Sequence, residues 1–215
     1  MSPVGDKNVA AIACTFRKTT DTLCVYGCVR LYGWMRSPFN PQFNPMSVVA
    51  ARKYSNKLVF ASDSISVSGY LKETRRVTGH ERGKLFEVNN MIIGSVGYTM
   101  ELSFMQIFAR NHSPATPTVE AVLDFMVEFY SWAKSKDSDF GRKNEYLIGI
   151  DSEIFRISDS YLVQKINEFS AIGAGEHFAL TAMYLDKTPE EAIKIANELC
   201  IYCAEPINVI TKEFD

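Results

Sequence analysis

The chain has 215 residues, 47% hydrophobic and 22% charged, the balance of a globular protein with a core of its own rather than of a disordered one. Its 23 Lys and Arg against 25 Asp and Glu leave a net charge of -2, so it offers no basic field for sequence-independent nucleic-acid binding. No apolar run approaches the roughly 18 to 20 residues of a membrane helix, and an odd set of five cysteines argues against a disulfide framework. A soluble protein of a reducing, cytoplasmic setting is expected, with no nucleic-acid or membrane partner.

Residues 1–45 differ in character from the rest. They hold five basic residues (Lys7, Arg17, Lys18, Arg30, Arg36) and two acidic ones (Asp6, Asp21), a charge of +3, whereas the following 170 residues carry -5. Three of the cysteines, Cys14, Cys24 and Cys28, lie here, without a sustained period of 2 or 3.6. The leader closes on Pro38-Phe39-Asn40-Pro41-Gln42-Phe43-Asn44-Pro45, where three prolines forbid a continuous helix or a central strand. Residues 1–45 are read as a leader, with upstream extension, propeptide and transit peptide as the alternatives, and residues 46–215 as the folded domain.

From Ser47 the pattern becomes regular. Ser47 to Arg52 and Leu58 to Ala61 are β-prone runs joined by Tyr54-Ser55-Asn56-Lys57, a predicted hairpin, with Asp63 just beyond it. Lys84 to Val88 and Met91 to Gly97 flank Asn89-Asn90, a pair tolerant of positive φ, and form a second. Two helices follow. Met100 to Arg110 places Leu102, Met105 and Phe108 on one face, and Val119 to Trp132 carries Val122, Phe125, Met126, Phe129 and Tyr130 after Thr118 as N-cap.

Tyr146 to Ile150, Ile154 to Ile157 and Tyr161 to Val163 read as a meander, and Phe169 to Gly175 runs into a helix from Glu176 to Leu185. Thr188-Pro189-Glu190-Glu191 opens a last helix with Ala192, Ile195, Ala196 and Leu199 inward, before a final strand from Ile207 to Thr211. Strands, two helices, strands, two helices, strand is an order that segregates sheets from helices: an α+β fold with a two-sheet sandwich and helices outside.

The stretch from residue 46 to 215 resembles a proteasome β-type subunit, and more particularly the HslV peptidases, both N-terminal nucleophile hydrolases. The resemblance rests on the order and spacing of Ser47-Val48-Val49-Ala50-Ala51-Arg52, Leu58 to Ser64, Lys84-Leu85-Phe86-Glu87-Val88, Gly94-Ser95-Val96-Gly97, Ala171 to Gly175 and Cys200-Ile201-Tyr202. It implies a four-layer αββα sandwich of two antiparallel sheets, a peptidase acting on peptides or unfolded proteins, a homo-oligomeric ring, and an ATP-dependent unfoldase as partner. No cofactor and no metal are implied.

Members of this family attack with the hydroxyl of an N-terminal threonine whose own α-amine takes the proton. Counting back sixteen residues from Asp63, the family separation, reaches Ser47, which offers the same hydroxyl chemistry. The resemblance assigns Lys84 as the cation that tunes the hydroxyl and the amine, Asp63 as its holder, and Gly97 as the backbone N–H donor to an oxyanion, with Gly94 as the neighbouring alternative. An amide nitrogen is no base, so Ser47 can act only once the preceding bond is cut. Family propeptides leave after a glycine; here the junction is Pro45-Met46, and translation from Met46 followed by loss of the initiator methionine is the simpler route.

Three departures accompany the match. Ala174 stands where the family has a serine that bonds the terminal amine. Glu198 replaces an aspartate. The segment from Gly69 to Gly83 is about five residues longer than usual and carries Lys72, Arg75, Arg76, His80 and Arg82, a basic loop expected either to meet acidic groups or simply to be solvated. These departures admit a second reading, a non-catalytic structural ring subunit. Other chemistries lack support: Cys200-x-x-Cys203 has no second cysteine pair or nearby histidine, and His80, His112 and His177 are dispersed.

Overall fold

A computed structural model describes residues 46–68, 71–73 and 83–214, with backbone alone at 67, 68 and 71–73. The expected leader and its boundary, and most of the basic loop, lie outside the described residues.

The first hairpin is β1 (Val48–Lys53) and β2 (Lys57–Ser62), paired Val49 to Ser62 through Lys53 to Leu58. A short antiparallel pair, β3 (Ser66–Ser68) and β4 (Leu71–Glu73), follows where only a loop is predicted. The second hairpin joins β5 (Leu85–Val88) to β6 (Met91–Val96), and Asn89 and Asn90 take φ of 46° and 62°, the left-handed pair a two-residue turn requires.

Helix α1 (Thr99–Phe108) and helix α2 (Val119–Lys136) come next; α2 starts where Thr118 Oγ1 accepts from Ala121 N and ends with Lys134 and Lys136 in its last turn. The helix thus continues past Trp132. The meander is β7 (Glu145–Ile150), β8 (Glu153–Ile157) and β9 (Val163–Ile166), then β10 (Phe169–Gly173), α3 (Glu176–Tyr184), α4 (Pro189–Leu199) and β11 (Asn208–Glu213).

The strands form two main antiparallel sheets, β10-β1-β2-β11 and β5-β6-β7-β8-β9. Three apolar layers hold the sandwich together, and strand alternation assigns residues to them. Val49, Ala51 and Phe60 of the first sheet meet Leu85, Ile92, Leu147 and Ile154 of the second. On the outer face of the first sheet, Val48, Ala50 and Ala61 pack against Ala179, Met183, Ala192, Ile193 and Ala196 of α3 and α4. On the outer face of the second, Ile93, Tyr146, Ile148 and Phe155 pack against Met105, Phe108, Phe125 and Phe129 of α1 and α2. The result is the expected four-layer αββα order.

Two expectations are corrected. The third meander strand begins at Val163 rather than Tyr161, because Tyr161 has φ 64° inside a turn in which the Ser158 hydroxyl accepts from the N–H of Ser160 and Leu162. In α4 the buried stripe is Pro189, Ala192, Ile193 and Ala196, while Leu199 is 61% exposed. Thr188 caps this helix, and Glu191 completes a capping box: Thr188 Oγ1 accepts from Glu191 N, and Glu191 Oε2 accepts from Thr188 N at 2.9 Å. No helix of the described residues is long and apolar enough to cross a membrane.

Candidate functional site

Ser47 precedes β1 and is buried, with φ 150°, a conformation in which a side chain is disfavoured. Its carbonyl accepts from Gly175 N at 3.3 Å, so the turn after β10 closes over it. That approach explains Gly173: φ is +96°, and a Cβ there would strike the Ser47 carbonyl. Gly175 is small for a related reason, since its Cβ would lie 2.8 Å from Cys203 Sγ and 2.9 Å from Val48 Cβ. Ala174, between them, is partly buried against the core beneath α3 and α4.

Asp63 follows β2 and is fully buried. Its Oδ1 accepts from Lys84 Nζ at 2.7 Å and from Val48 N at 2.9 Å; its Oδ2 accepts from Ile65 N at 3.2 Å and Ala204 N at 3.4 Å. Four donors on one carboxylate satisfy a charge that burial alone would make untenable. Lys84, immediately before β5, has a side chain only 14% exposed. Burial lowers its ammonium pKa from the ordinary lysine value, while the attraction of Asp63 and the hydrogen bond to it oppose the fall without cancelling it. Cys203 lies close enough to share this field: burial, and the Asp63 charge after it, push its thiol upward and keep it protonated.

The two candidate glycines are unlike one another. Gly94 sits inside β6 opposite Leu147, where a Cβ would meet Val49 Cγ1 at 2.5 Å, so it permits the sheets to approach. Gly97 lies just past the end of β6, is exposed, and has φ +130°. Asn144 packs directly against it: Asn144 Oδ1 accepts from Tyr98 N at 2.5 Å, and Nδ2 donates to Tyr98 O and to Ser95 Oγ, both at 3.1 Å.

Ser47, Asp63 and Lys84 are thus brought together through one carboxylate, since the Oδ1 that holds the ammonium also holds the N–H of the residue next to Ser47. Glu198 is exposed on the last turn of α4 and takes no part in this cluster. Cys200 and Cys203 are buried and free. His112 is half-exposed and stacks on Phe108 at 4.0 Å between centroids. Sequence reasoning missed Asn144, which lies between the predicted second helix and the strand from Tyr146, and the buried Glu101, which accepts from Tyr130 and Tyr146 hydroxyls and from Lys143 N. Neither carries a motif; only the packing of Asn144 against Gly97, and the Glu101 bond to Lys143 N beside it, single them out.

No protein-family profile matches the chain, and no curated protein does. Solved structures do. Thiobacillus denitrificans BPH in complex with epoxomicin superposes with a TM-score of 0.70 at 17% identity, covering 78% of this chain and 99% of that one. A second structure of Thiobacillus denitrificans BPH gives 0.69 at 18% identity over 78% and 98%. The eukaryotic HslV from Trypanosoma brucei gives 0.61 at 18% identity over 77% and 99%. With its two antiparallel sheets enclosed by helices, the chain has the fold of the HslV and proteasome-type N-terminal nucleophile hydrolases.

Proposed function

We propose that residues 46–215 form a proteasome/HslV-like peptidase subunit that hydrolyses peptide bonds with Ser47 once the preceding residues are gone. The observation that carries this reading is the shared Asp63 oxygen, which ties a buried lysine to the backbone beside Ser47. A buried Asp–Lys pair is an expensive arrangement for stability alone, and it tunes a neighbouring proton transfer well.

In this mechanism the free α-amine of Ser47, with an ordinary pKa of about 8, accepts the hydroxyl proton as Oγ bonds to the substrate carbonyl carbon. The Lys84 ammonium favours the alkoxide and lowers the proton affinity of the amine. The carbonyl oxygen gains the charge, and the Gly97 N–H is the donor assigned to it. The amine then passes its proton to the leaving nitrogen, and water releases the acyl group from Oγ. Peptides or unfolded proteins are the substrates, a homo-oligomeric ring in the cytoplasm the setting, and an ATP-dependent unfoldase the feeding partner.

A second reading, a non-catalytic structural ring subunit, draws on Ala174: it contributes a methyl group to the core where a hydroxyl would support the amine. One experiment separates the two. The mature polypeptide is weighed intact and then incubated with epoxomicin, the ligand of the Thiobacillus denitrificans complex. A peptidase begins at Ser47, gains one inhibitor mass, and loses that gain in Ser47→Ala. A chain that starts at Ser47 yet takes up no label and cleaves no peptide is a structural subunit. Peptide cleavage by a chain that retains residues 1–46 refutes the amine mechanism.

A further inference from the structure

Asn144 meets the turn after β6 with every polar atom of its side chain. It is 1% exposed, its Oδ1 faces the Tyr98 N–H, and its Nδ2 reaches both the Tyr98 carbonyl and Ser95 Oγ. These contacts fall on either side of Gly97, so the orientation of the Gly97 peptide is fixed from residues 95 and 98 by one amide. The fit is close: a Cβ on Gly97 would strike the Asn144 side chain and come within 2.9 Å of Lys143 O. Asn144 is itself anchored. Glu101 Oε2 accepts from Lys143 N at 2.9 Å, while its Oε1 accepts from Tyr130 Oη at 2.8 Å and Tyr146 Oη at 3.0 Å.

We propose that Asn144 is a positioning residue for the reaction, holding the Gly97 N–H at the angle from which it meets the developing oxyanion. The inference rests on the peptidase reading above. Only an amide meets all three contacts. Aspartate would set an oxygen against the Tyr98 carbonyl, and alanine would take from the Tyr98 N–H its Asn144 acceptor, while Tyr98 C=O keeps Leu102 N and Ser95 Oγ keeps the Tyr146 hydroxyl. An N–H that is misdirected by a fraction of an ångström loses its preference for the transition state over the bound substrate.

The test uses the mature chain and compares Asn144→Asp, Asn144→Ala and Ser95→Ala with wild type. It measures kcat and KM on a peptide, and inhibition by a peptide aldehyde against the matching peptide alcohol. The aldehyde adduct places an oxygen where the oxyanion forms; the alcohol has no such oxygen. Expected for both Asn144 variants is a fall in kcat of about tenfold or more with KM within about twofold, and a like fall in affinity for the aldehyde but not the alcohol. Ser95→Ala, which removes one contact, falls between and carries the test alone if the Asn144 variants do not fold. An active wild type with kcat unchanged in the variants, or with aldehyde and alcohol affinities falling together, overturns the inference. A mature wild type that hydrolyses nothing and ignores the aldehyde overturns the peptidase reading, and this inference with it.

Discussion

Replacing Asp63 by asparagine keeps the outline of the side chain and removes its charge, and the geometry sets the size of the effect. Two carboxylate oxygens accept four donors here: Lys84 Nζ and Val48 N on Oδ1, Ile65 N and Ala204 N on Oδ2. An amide has a single acceptor oxygen, so two of those donors would face an NH2 group. Leaving a buried N–H unpaired costs about 1–3 kcal/mol, and removing one partner of a buried ion pair about 3–5 kcal/mol. Asp63 is fully buried and Lys84 nearly so, which places Asp63→Asn at about 4 kcal/mol or more. Lys84→Met leaves the carboxylate with its three backbone donors and costs less, about 3 kcal/mol.

The decisive quantity is the coupling. Once the ammonium is gone the charge at residue 63 has no partner to lose, so the double variant should be no less stable than Asp63→Asn alone, a coupling of about 3 kcal/mol or more. Urea unfolding of the four proteins, followed by tryptophan fluorescence, measures it. Effects that add to within about 0.5 kcal/mol would show that Asp63 and Lys84 act independently, and the electrostatic argument for this site would fail.

Glu101 gives a pH test. Burial raises its carboxyl above the ordinary value of 4.5, against the hydrogen bonds from Tyr130, Lys143 N and Tyr146. The folded chain then binds the proton more tightly than the unfolded one, so this stabilisation is full below about pH 4.5 and is lost as pH rises through the folded value. The wild-type minus Glu101→Gln difference in unfolding free energy should decline over that interval; a difference that grows contradicts the burial argument. Gly97→Ala, forced to φ +130° with its methyl directed at Asn144, should lose about 2 kcal/mol or more in thermal unfolding, and a neutral result would refute the close contact. Thr188→Ala removes one arm of the capping box and should cost about 1 kcal/mol, with Thr188→Ser recovering most of it; equal loss in both would assign the effect to the methyl group instead.

Features decided by local chemistry were readable in the sequence. Asn89-Asn90 tolerates the left-handed turn it adopts between two apolar runs, and Thr118 and Thr188 each stand one residue before a helical period, so the second hairpin and both caps follow from short segments. Features decided by tertiary choice were not. In α4 both Ile193 and Ile195 are apolar, and two stripes fit the sequence equally well; the close approach of Ala192 and Ala196 to β1 selects the one that excludes Leu199. The strand β9 reads Val-Gln-Lys-Ile at a sheet edge, too polar at its centre to mark its own start. Asp63 and Lys84 were named by spacing, yet nothing in the spacing foretells that Val48 N–H and Ala204 N–H complete the carboxylate's shell. Asn144 was invisible because its partners lie 46 and 49 residues away.

The site is divided between the two sheets, and this determines what holds it together. Ser47 and Asp63 flank β1 and β2 of one sheet; Lys84 and Gly97 flank β5 and β6 of the other. The residues next to them along the chain are inter-sheet core: Leu85 follows Lys84, Val96 precedes Gly97, and Val49 lies two beyond Ser47. Gly94 lets Val49 press into the second sheet where β6 passes it. The distance between ammonium and carboxylate is therefore set by apolar packing on both sides, and the 2.7 Å contact between Lys84 and Asp63 reports how the sheets close rather than pulling them together. A lysine and an aspartate twenty-one residues apart, each placed at the end of a different sheet, can share one oxygen only in a sandwich whose core is already filled.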